Sequence, residues 1–518
     1  MPSVRHKLIK ATVLLTGLQL LAQALGLLRQ IVIAAEFGTT EVMDAYLVAL
    51  TMVGLIQLWV SLPINQVLMP MFRHDLARQG ERTAWANISV LFNNFSIVLV
   101  LVVALGWFAA PYVVQFVGLG LAEDMKAVST TLTQIMMVSV LLMGMGTAFS
   151  QILFAYERFL LPGLAGGMDN LMGIVVLLAL SNSYGIYGLA AAFVIGDLAL
   201  LCLQLPILWE KRKLYVTQVN LRHPEMIEMG KLSVPLLLST GGTQVERVTD
   251  RIFASLLPVG SLSALAFAHR LIGVLQDFFI DPLQQATFPH FTKLSAEEQF
   301  NTLSRQLFSY LRIVFFLTLP IAVGVMMIAE DVVRVLYQRG AFDETSVQLT
   351  SQALFFYAIG FPAQALSRIL NRTYFSFKDT RTPSKLAILR IGIKIVLSWI
   401  LLSSLSHRGI ALAESLSQIL RIILLFLFLP AQVKGQEEWN MVKSFARTVA
   451  AAALMAAVVY FAQGQVDGLV SMPLEIAALV LLGIAVYGLI TYRFQEEEAQ
   501  FLLKSVTSLG AKYLPSKS

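Results

Sequence analysis

The sequence predicts an all-α, polytopic integral membrane protein with about fourteen transmembrane helices. Its 518 residues are 57% hydrophobic and 14% charged, with a mean hydropathy of +0.72, which is too apolar for an ordinary soluble domain. Apolar segments of roughly 20 residues, the length of one bilayer crossing, recur along the whole chain. Basic residues collect in alternate loops between these segments, as the positive-inside rule requires.

The predicted spans follow one another with short connections. We place them near residues 9–35, 42–72, 88–117, 127–155, 160–181, 184–209, 227–257, 261–292, 307–329, 346–376, 383–405, 408–430, 443–463 and 472–492.

Loop charges give the orientation. The basic loops hold Arg5, Lys7, Lys10, Arg73, Arg78, Arg82, Lys211, Arg212, Lys213, Lys378, Arg381, Lys385, Arg493, Lys504, Lys512 and Lys517. The opposite loops are short or acidic, such as FGTTE, LAEDMK and SNSYG. We therefore expect both termini in the cytoplasm. Since membrane sidedness accounts for the net charge of +6, we expect no nucleic-acid partner.

Motifs for enzyme chemistry are missing from the sequence. It contains no H-E-x-x-H, no Walker A and no G-x-S-x-G motif, and its six histidines are scattered. The single cysteine, Cys202, excludes a disulfide framework and a cysteine-based metal site. We expect a protein that is not an enzyme and that has no cofactor and no metal.

An internal repeat divides the chain. The stretch PINQVLMPMF at 63–72 returns as PLQQATFPHF at 282–291, and RQIVIAAEFG at 29–38 returns as RIFASLLPVG at 251–260. With about six helices per copy, both copies enter the membrane from the same side, which is the arrangement of a two-lobed transporter. We predict two pseudo-symmetric six-helix lobes, at 1–212 and 227–432, followed by two helices at 443–492 and a cytoplasmic tail at 493–518. The alternative is that the shared prolines are only helix kinks.

Charged and polar stripes lie at bilayer depth, where each ionisable group is costly unless it faces protein or water. They are Gln19, Gln23, Gly26 and Gln30 beside Arg29; Glu246, Arg247, Asp250 and Arg251; Arg270, Asp277 and Asp281; Arg390 and Lys394; and Glu414, Gln418 and Arg421. They either line a wet cavity or form ion pairs that only fix helix packing. Arg29 and Arg270 favour the cavity, because neither has an acidic neighbour three or four residues away on its own helix.

One region carries a family resemblance. The stretch LYQRGAFDETSVQLTSQALFFYAIGFPAQALSRILNRTYFSFKDTRTPSKLA at 336–387, with ALGLLRQ at 24–30, MDAYLVA at 43–49 and DRIFASLLPVGSLSALAFAHRL at 250–271, resembles the MurJ/MviN family of bacterial lipid II flippases, within the multidrug/oligosaccharidyl-lipid/polysaccharide exporter superfamily. The resemblance implies two lobes around a cationic cavity and a lipid-tail groove at the last two helices.

The resemblance also implies a substrate site. Arg29 and Arg270 match family arginines and would bind the diphosphate head group, for which arginine supplies bidentate donors. Gln23, Gln30, Asp44, Gln57 and His269 would be polar cavity residues. Because Gln23, Gln30 and Gln57 replace charged residues of the family, another polyprenyl-linked glycan stays open as the substrate.

The second lobe departs from the family in a further way. We expect a charge network of Glu246, Asp250, Arg390, Lys394 and Glu414. Some family members bind sodium in this lobe, and Asp250 matches their first ligand, but Lys394 and Ser398 fall where other ligands should be. An ammonium group near Asp250 would take the place of the cation, so we expect no sodium site.

The function predicted from these observations is translocation of lipid II from the inner to the outer leaflet of the bacterial cytoplasmic membrane by alternating access. The alternatives are a flippase for another polyprenyl-linked glycan, a multidrug exporter of the same superfamily, and a non-transporting scaffold for envelope synthesis. The expected partners are the lipid-linked glycan and membrane lipid, with cell-wall synthesis proteins as further candidates.

Overall fold

The computed structural model describes residues 2–220, 222–434, 437–466 and 471–493. Within these ranges the chain forms helices and no β-strand, so the all-α prediction is confirmed. The predicted tail at 493–518 lies outside the described residues except for Arg493. The α-helices are α1 (Pro2–Phe37), α2 (Glu41–Pro63), α3 (Met69–Arg78), α4 (Glu81–Val117), α5 (Glu123–Ala155), α6 (Leu160–Tyr184), α7 (Ile186–Glu210), α8 (Pro224–Ser255), α9 (Ser261–Leu275), α10 (Asp281–Ala296), α11 (Phe300–Met327), α12 (Ala329–Tyr337), α13 (Glu344–Ser376), α14 (Arg381–Leu405), α15 (His407–Leu427), α16 (Glu437–Val466) and α17 (Met472–Arg493).

Thirteen helical segments of the described chain are long and apolar enough to cross a membrane, so the count of fourteen was approximate. The predicted span at 227–257 is the one missing from this set. It coincides with α8, which is long enough but carries seven charged residues between Glu225 and Arg251. Such charge lowers mean hydropathy even where a helix forms.

Both copies of the proline repeat lie in interrupted helices. A π-helical turn at Ile64–Leu68 joins α2 to α3 just before Pro70, and another at Gln276–Ile280 joins α9 to α10 just before Pro282. Proline removes a backbone donor and clashes with the preceding turn, which explains an irregularity at each place. These two prolines are not equivalent in the repeat, so the π-helical turns fall at different positions of the two copies.

The described chain divides into two compact units. The first comprises residues 1–263 together with 339–343, and the second comprises 264–338 and 344–518. The short insertion belongs to the first unit because the Ala341 amide donates to the Ala35 carbonyl at 2.7 Å. The two compact units are defined by which residues lie close together, whereas the predicted lobes are defined by which residues are equivalent in the sequence repeat. The lobes at 1–212 and 227–432 therefore stay a prediction.

In the first unit, α6 packs on α1 and α7, while α5 packs on α2, α4 and α7. An apolar cluster fills the space under the first π-helical turn, where Phe72, Trp85 and Phe92 are buried. The Trp85 indole N–H donates to the Tyr156 hydroxyl at 2.7 Å, so the one polar atom of that ring is satisfied.

In the second unit, α13 packs on α10, α11 and α15, and α14 packs on α15. The two last helices form a hairpin, with α16 against α11 and α17 against α16. A buried cluster joins them, in which the Tyr487 hydroxyl donates to the Phe316 carbonyl at 2.8 Å. A lipid-tail groove at these helices stays a prediction.

Large apolar side chains cover the outer faces of the helices. Leu105, Phe108 and Tyr112 of α4 and Leu481 and Ile484 of α17 are all more than 60% exposed. In water, exposed apolar surface of this extent would cause association. Lipid is the solvent in which such faces are stable.

Candidate functional site

Arg29 lies in α1, and its guanidinium faces α6 inside the first unit. Its Nη1 is 3.6 Å from Asp169 Oδ2, and only 12% of its side chain is exposed. This distance is that of an ion pair rather than a charge-assisted hydrogen bond, which would be about 2.7–2.9 Å. The Arg29 Cζ also lies 5.9 Å from the centre of the Phe193 ring. Arg29 thus has a counter-ion on another helix, and its closest contact with that group is loose.

Two glycines make room for this pair. A Cβ at Gly173 would lie 2.9 Å from Arg29 Cζ, and a Cβ at Gly196 would lie 2.3 Å from Asp169 Oδ1. Any larger residue at either position would displace the charged group beside it. The guanidinium and the carboxylate therefore lie directly against helix backbone.

A second carboxyl group follows Gly196 in the chain and has different partners. Asp197 is 7% exposed and accepts hydrogen bonds from the Ser139 hydroxyl and from Gln57 Nε2, the latter at 3.3 Å. Gln57 Nε2 also lies 2.6 Å from Ser139 Oγ. Gln57, predicted as a cavity residue, therefore belongs to the hydrogen-bonded group that holds Asp197.

The other polar residues predicted for the first-lobe cavity lie in different surroundings. Asp44 is 4% exposed and accepts hydrogen bonds from the Gly260 and Ser263 amides at 2.7 and 2.8 Å, so it caps the start of α9. Gln23 and Gln30 are half-buried in α1, and Gln23 Oε1 is buried without a hydrogen-bond partner in the described structure.

The charged residues predicted on α8 lie in the first unit. Glu246 is 8% exposed, and Asp250, four residues later, is half-buried. They belong to the same helix as Glu225.

Arg270 of α9 is half-buried in the second unit, and Asp277 lies in the π-helical turn that follows α9. His269 is exposed, and its ring meets the Tyr357 ring edge to face at 5.6 Å between centroids. Whether either residue contacts a substrate stays a prediction.

Two further arginines of the second unit were missed from the sequence. Arg368 Nη2 donates to Gln276 Oε1 at 2.5 Å, and Arg368 also pairs with Asp281. Arg372 lies 5.0 Å from the Phe288 ring centre, and Gln284, with its carbonyl oxygen toward the guanidinium, accepts from Nε at 2.8 Å. Two arginines four residues apart in an apolar span were the signal, since they share one helix face.

Three of the residues predicted for the second-lobe network come together. Lys394 Nζ is 2.6 Å from Glu414 Oε2, and Arg390 Nη1 is 3.4 Å from the same oxygen. Gln418 Nε2 donates to Glu414 Oε1 at 2.8 Å. Lys394 and Arg390 are 4% and 6% exposed, so this is a buried pair of cations that share one carboxylate. The replacement of a bound cation by Lys394 beside Asp250 stays a prediction.

A pair of carboxyl groups joins α3 to the start of α8, where Glu225 lies outside the membrane spans. Asn87 Nδ2 donates to Asp75 Oδ2 at 2.9 Å and to Glu225 Oε1 at 3.2 Å. Burial, followed by the hydrogen bond and the charge of Asp75, raises the pKa of Glu225 to about 8. Near neutral pH the two carboxyl groups therefore share a proton.

The chain is similar to proteins of one family over most of its length. The sequence profile described as "Lipid II flippase MurJ" matches residues 33–479. A protein from Burkholderia cenocepacia named "Lipid II flippase MurJ" is 26% identical over 495 residues, which cover 93% of this chain and 96% of that protein. A "Probable lipid II flippase MurJ" from Thermotoga maritima is 26% identical over 480 residues, covering 92% and 95%.

Solved structures share the fold. A structure described as "Lipid II flippase MurJ, inward closed conformation" superposes with a TM-score of 0.78 at 23% identity, covering 93% of this chain and 98% of the other. An inward-facing multidrug resistance MATE family transporter of the MOP superfamily gives a TM-score of 0.67 at 13% identity, covering 82% and 95%. The profile match over most of the chain shows that this protein belongs to the MurJ family.

Proposed function

We propose that this protein moves lipid II from the inner to the outer leaflet of the bacterial cytoplasmic membrane by alternating access. The observation that carries the proposal is the MurJ family match over residues 33–479. The duplicated helices with their proline-linked π-helical turns support it, because a two-lobed transporter must bend or rock its helices to change sides. Another polyprenyl-diphosphate glycan would satisfy the same chemistry.

Arg29 and Arg270 are the proposed ligands of the diphosphate. A guanidinium matches phosphate oxygens in a bidentate way, and it stays charged in a partly dehydrated site. Arg29 is held loosely, at 3.6 Å from Asp169, and Arg270 is half-buried. Arg29 can therefore bind an anion without first losing a short hydrogen bond to Asp169.

The proposed function also implies a location in the cell and a set of partners. The protein would lie in the bacterial inner membrane with both termini in the cytoplasm, and it would act as a transporter without catalysing a chemical reaction. Proteins of cell-wall synthesis are candidate partners, because they supply lipid II on one side and consume it on the other. Consumption of the product, the membrane potential or an ion gradient would drive net transport.

Complementation tests the activity. A bacterial strain depleted of its own lipid II flippase should grow when this protein is expressed, and growth should fail with Arg29→Ala or Arg270→Ala. Arg158→Ala and Arg305→Ala are controls for the loss of an arginine, because both side chains are exposed; Arg158 lies between α5 and α6, where it pairs with Glu210, and Arg305 lies near the start of α11. A well-expressed wild type that does not restore growth or outer-leaflet lipid II would refute the proposal.

Binding separates a substrate role from a packing role. If each arginine makes charge-assisted hydrogen bonds, Arg29→Ala or Arg270→Ala should weaken binding of lipid II to the purified protein about tenfold or more. Replacement by lysine should rescue binding only in part. Since Arg29→Ala leaves Asp169 unpaired, the double variant Arg29→Ala/Asp169→Asn keeps the charge balanced. Unchanged affinity in folded variants would assign the arginines to helix packing.

A second candidate function is favoured by the fold shared with a MATE transporter at a TM-score of 0.67. A multidrug exporter would lower the sensitivity of the host cell to cationic drugs, and acidic rather than basic cavity residues would be needed for it. Drug resistance without complementation would replace the flippase proposal. Complementation that survives both arginine substitutions would refute the role of these arginines, and a wild type that neither complements nor confers drug resistance would favour the scaffold.

A further inference from the structure

The two carboxyl groups near Arg29 are held in different ways. Asp197 is engaged by the neutral donors Ser139 and Gln57. Asp169 instead faces the Arg29 guanidinium, and its carboxylate lies against Gly196, the residue before Asp197. Asp169 is thus the carboxylate that lies against the guanidinium of Arg29.

We propose that Asp169 is an internal competitor of the substrate diphosphate for Arg29. The diphosphate would displace Asp169 on binding, and Asp169 would return to Arg29 when the substrate leaves. This inference rests on the proposed function, because it assumes that Arg29 binds the diphosphate. It adds that release is built into the site through a carboxylate that takes the place of the departing anion.

The geometry suits such an exchange. At 3.6 Å the pair lacks the short hydrogen bond that would make it hard to break. The Asp169 side chain is 25% exposed, so the carboxylate can regain water when it loses Arg29. Arg29 lies against Gly173, and a flat guanidinium on helix backbone can keep its place while its partner changes.

The charged groups around Arg29 and Asp169 affect how a diphosphate can replace Asp169. The positive charge of Arg29 interacts with the carboxyl groups of both Asp169 and Asp197. Tyr46 of α2 is a further titratable group close to all three residues. A diphosphate that binds beside two carboxylates and one arginine adds negative charge next to the negative carboxylates. Neutralising Asp169 by substitution removes the competitor, so binding of the substrate should become tighter.

The test measures binding of lipid II to the full-length protein near neutral pH. Lipid II is suitable because its diphosphate is a diester and stays fully ionised near neutral pH. Asp169→Asn should bind about tenfold tighter than the wild type. Asp124→Asn, which removes an exposed carboxylate from α5, should leave the affinity unchanged.

Each outcome is decisive. Equal or weaker binding by a folded Asp169→Asn would mean that Asp169 only orients Arg29, and the proposal would be wrong. If Asp169→Asn does not fold, Asp169→Ser provides a smaller neutral side chain, and equal or weaker binding by a folded Asp169→Ser would overturn the proposal in the same way. Equal binding by the wild type and Arg29→Ala would instead refute the role of Arg29 in the proposed function.

Discussion

The buried network on α14 and α15 allows a prediction about the order of two destabilising substitutions. Glu414 Oε2 lies 2.6 Å from Lys394 Nζ and 3.4 Å from Arg390 Nη1. Glu414→Gln removes one carboxylate from the surroundings of two cations that are only 4% and 6% exposed. Lys394→Met removes one cation from a carboxylate that keeps Arg390 and the Gln418 amide. We therefore expect Glu414→Gln to be the more damaging change.

The expected losses in the free energy of unfolding follow from the burial of these charged groups. Removing one member of a buried ion pair costs about 3–5 kcal/mol, and we expect Glu414→Gln to lie in this range. Loss of a single hydrogen bond to a charged group costs about 1.5–3 kcal/mol, which we expect for Lys394→Met. Because the two substitutions remove the same contact, the double variant should be more stable than the sum of the single effects predicts.

Unfolding in detergent, followed for all three variants and for Lys385→Met, provides the measurement. Lys385 is exposed on the same helix, so it controls for the loss of a lysine from α14. A Lys394→Met variant that is less stable than Glu414→Gln would refute the shared-carboxylate reasoning. Additive effects in the double variant would show that the contact contributes little.

Three further predictions concern ions, topology and pH. Sodium should not raise the melting temperature of the wild type above its value in potassium, and a specific sodium effect would reject the replacement of the cation by lysine. In a Cys202→Ser background, a cysteine introduced at 120–126 should react with an impermeant reagent from outside and one at Arg78 should not; the reverse pattern would invert the orientation. Because the folded-state pKa of Glu225 is raised to about 8, the stability that its protonation provides is present below the unfolded value and is lost as the pH rises to 8. Glu225→Gln should reduce that loss, and an identical pH profile would contradict the shared proton.

The sequence predicted the fold well because one physical term dominates it. The cost of polar backbone in lipid leaves helices as the solution for apolar segments of this length, and hydropathy reports those segments directly. The prediction was least direct at α8, where charged residues lower the hydropathy of a helix that nevertheless forms. The bends at Ile64–Leu68 and Gln276–Ile280 were indicated only by their prolines, because a π-helical turn depends on how neighbouring helices compensate for the lost hydrogen bond.

The site was harder to predict because its decisive contacts join different helices. Helical spacing tests only the neighbours three or four residues away, and by that test Arg29 had no acidic partner. The partner, Asp169, lies on α6, and its place depends on the absence of a side chain at Gly173 and Gly196. A binding role and a packing role are therefore not exclusive alternatives for Arg29. An arginine that must receive and release a diphosphate inside a membrane needs a counter-ion when the site is empty, and a loose pair with Asp169 provides one without closing the site.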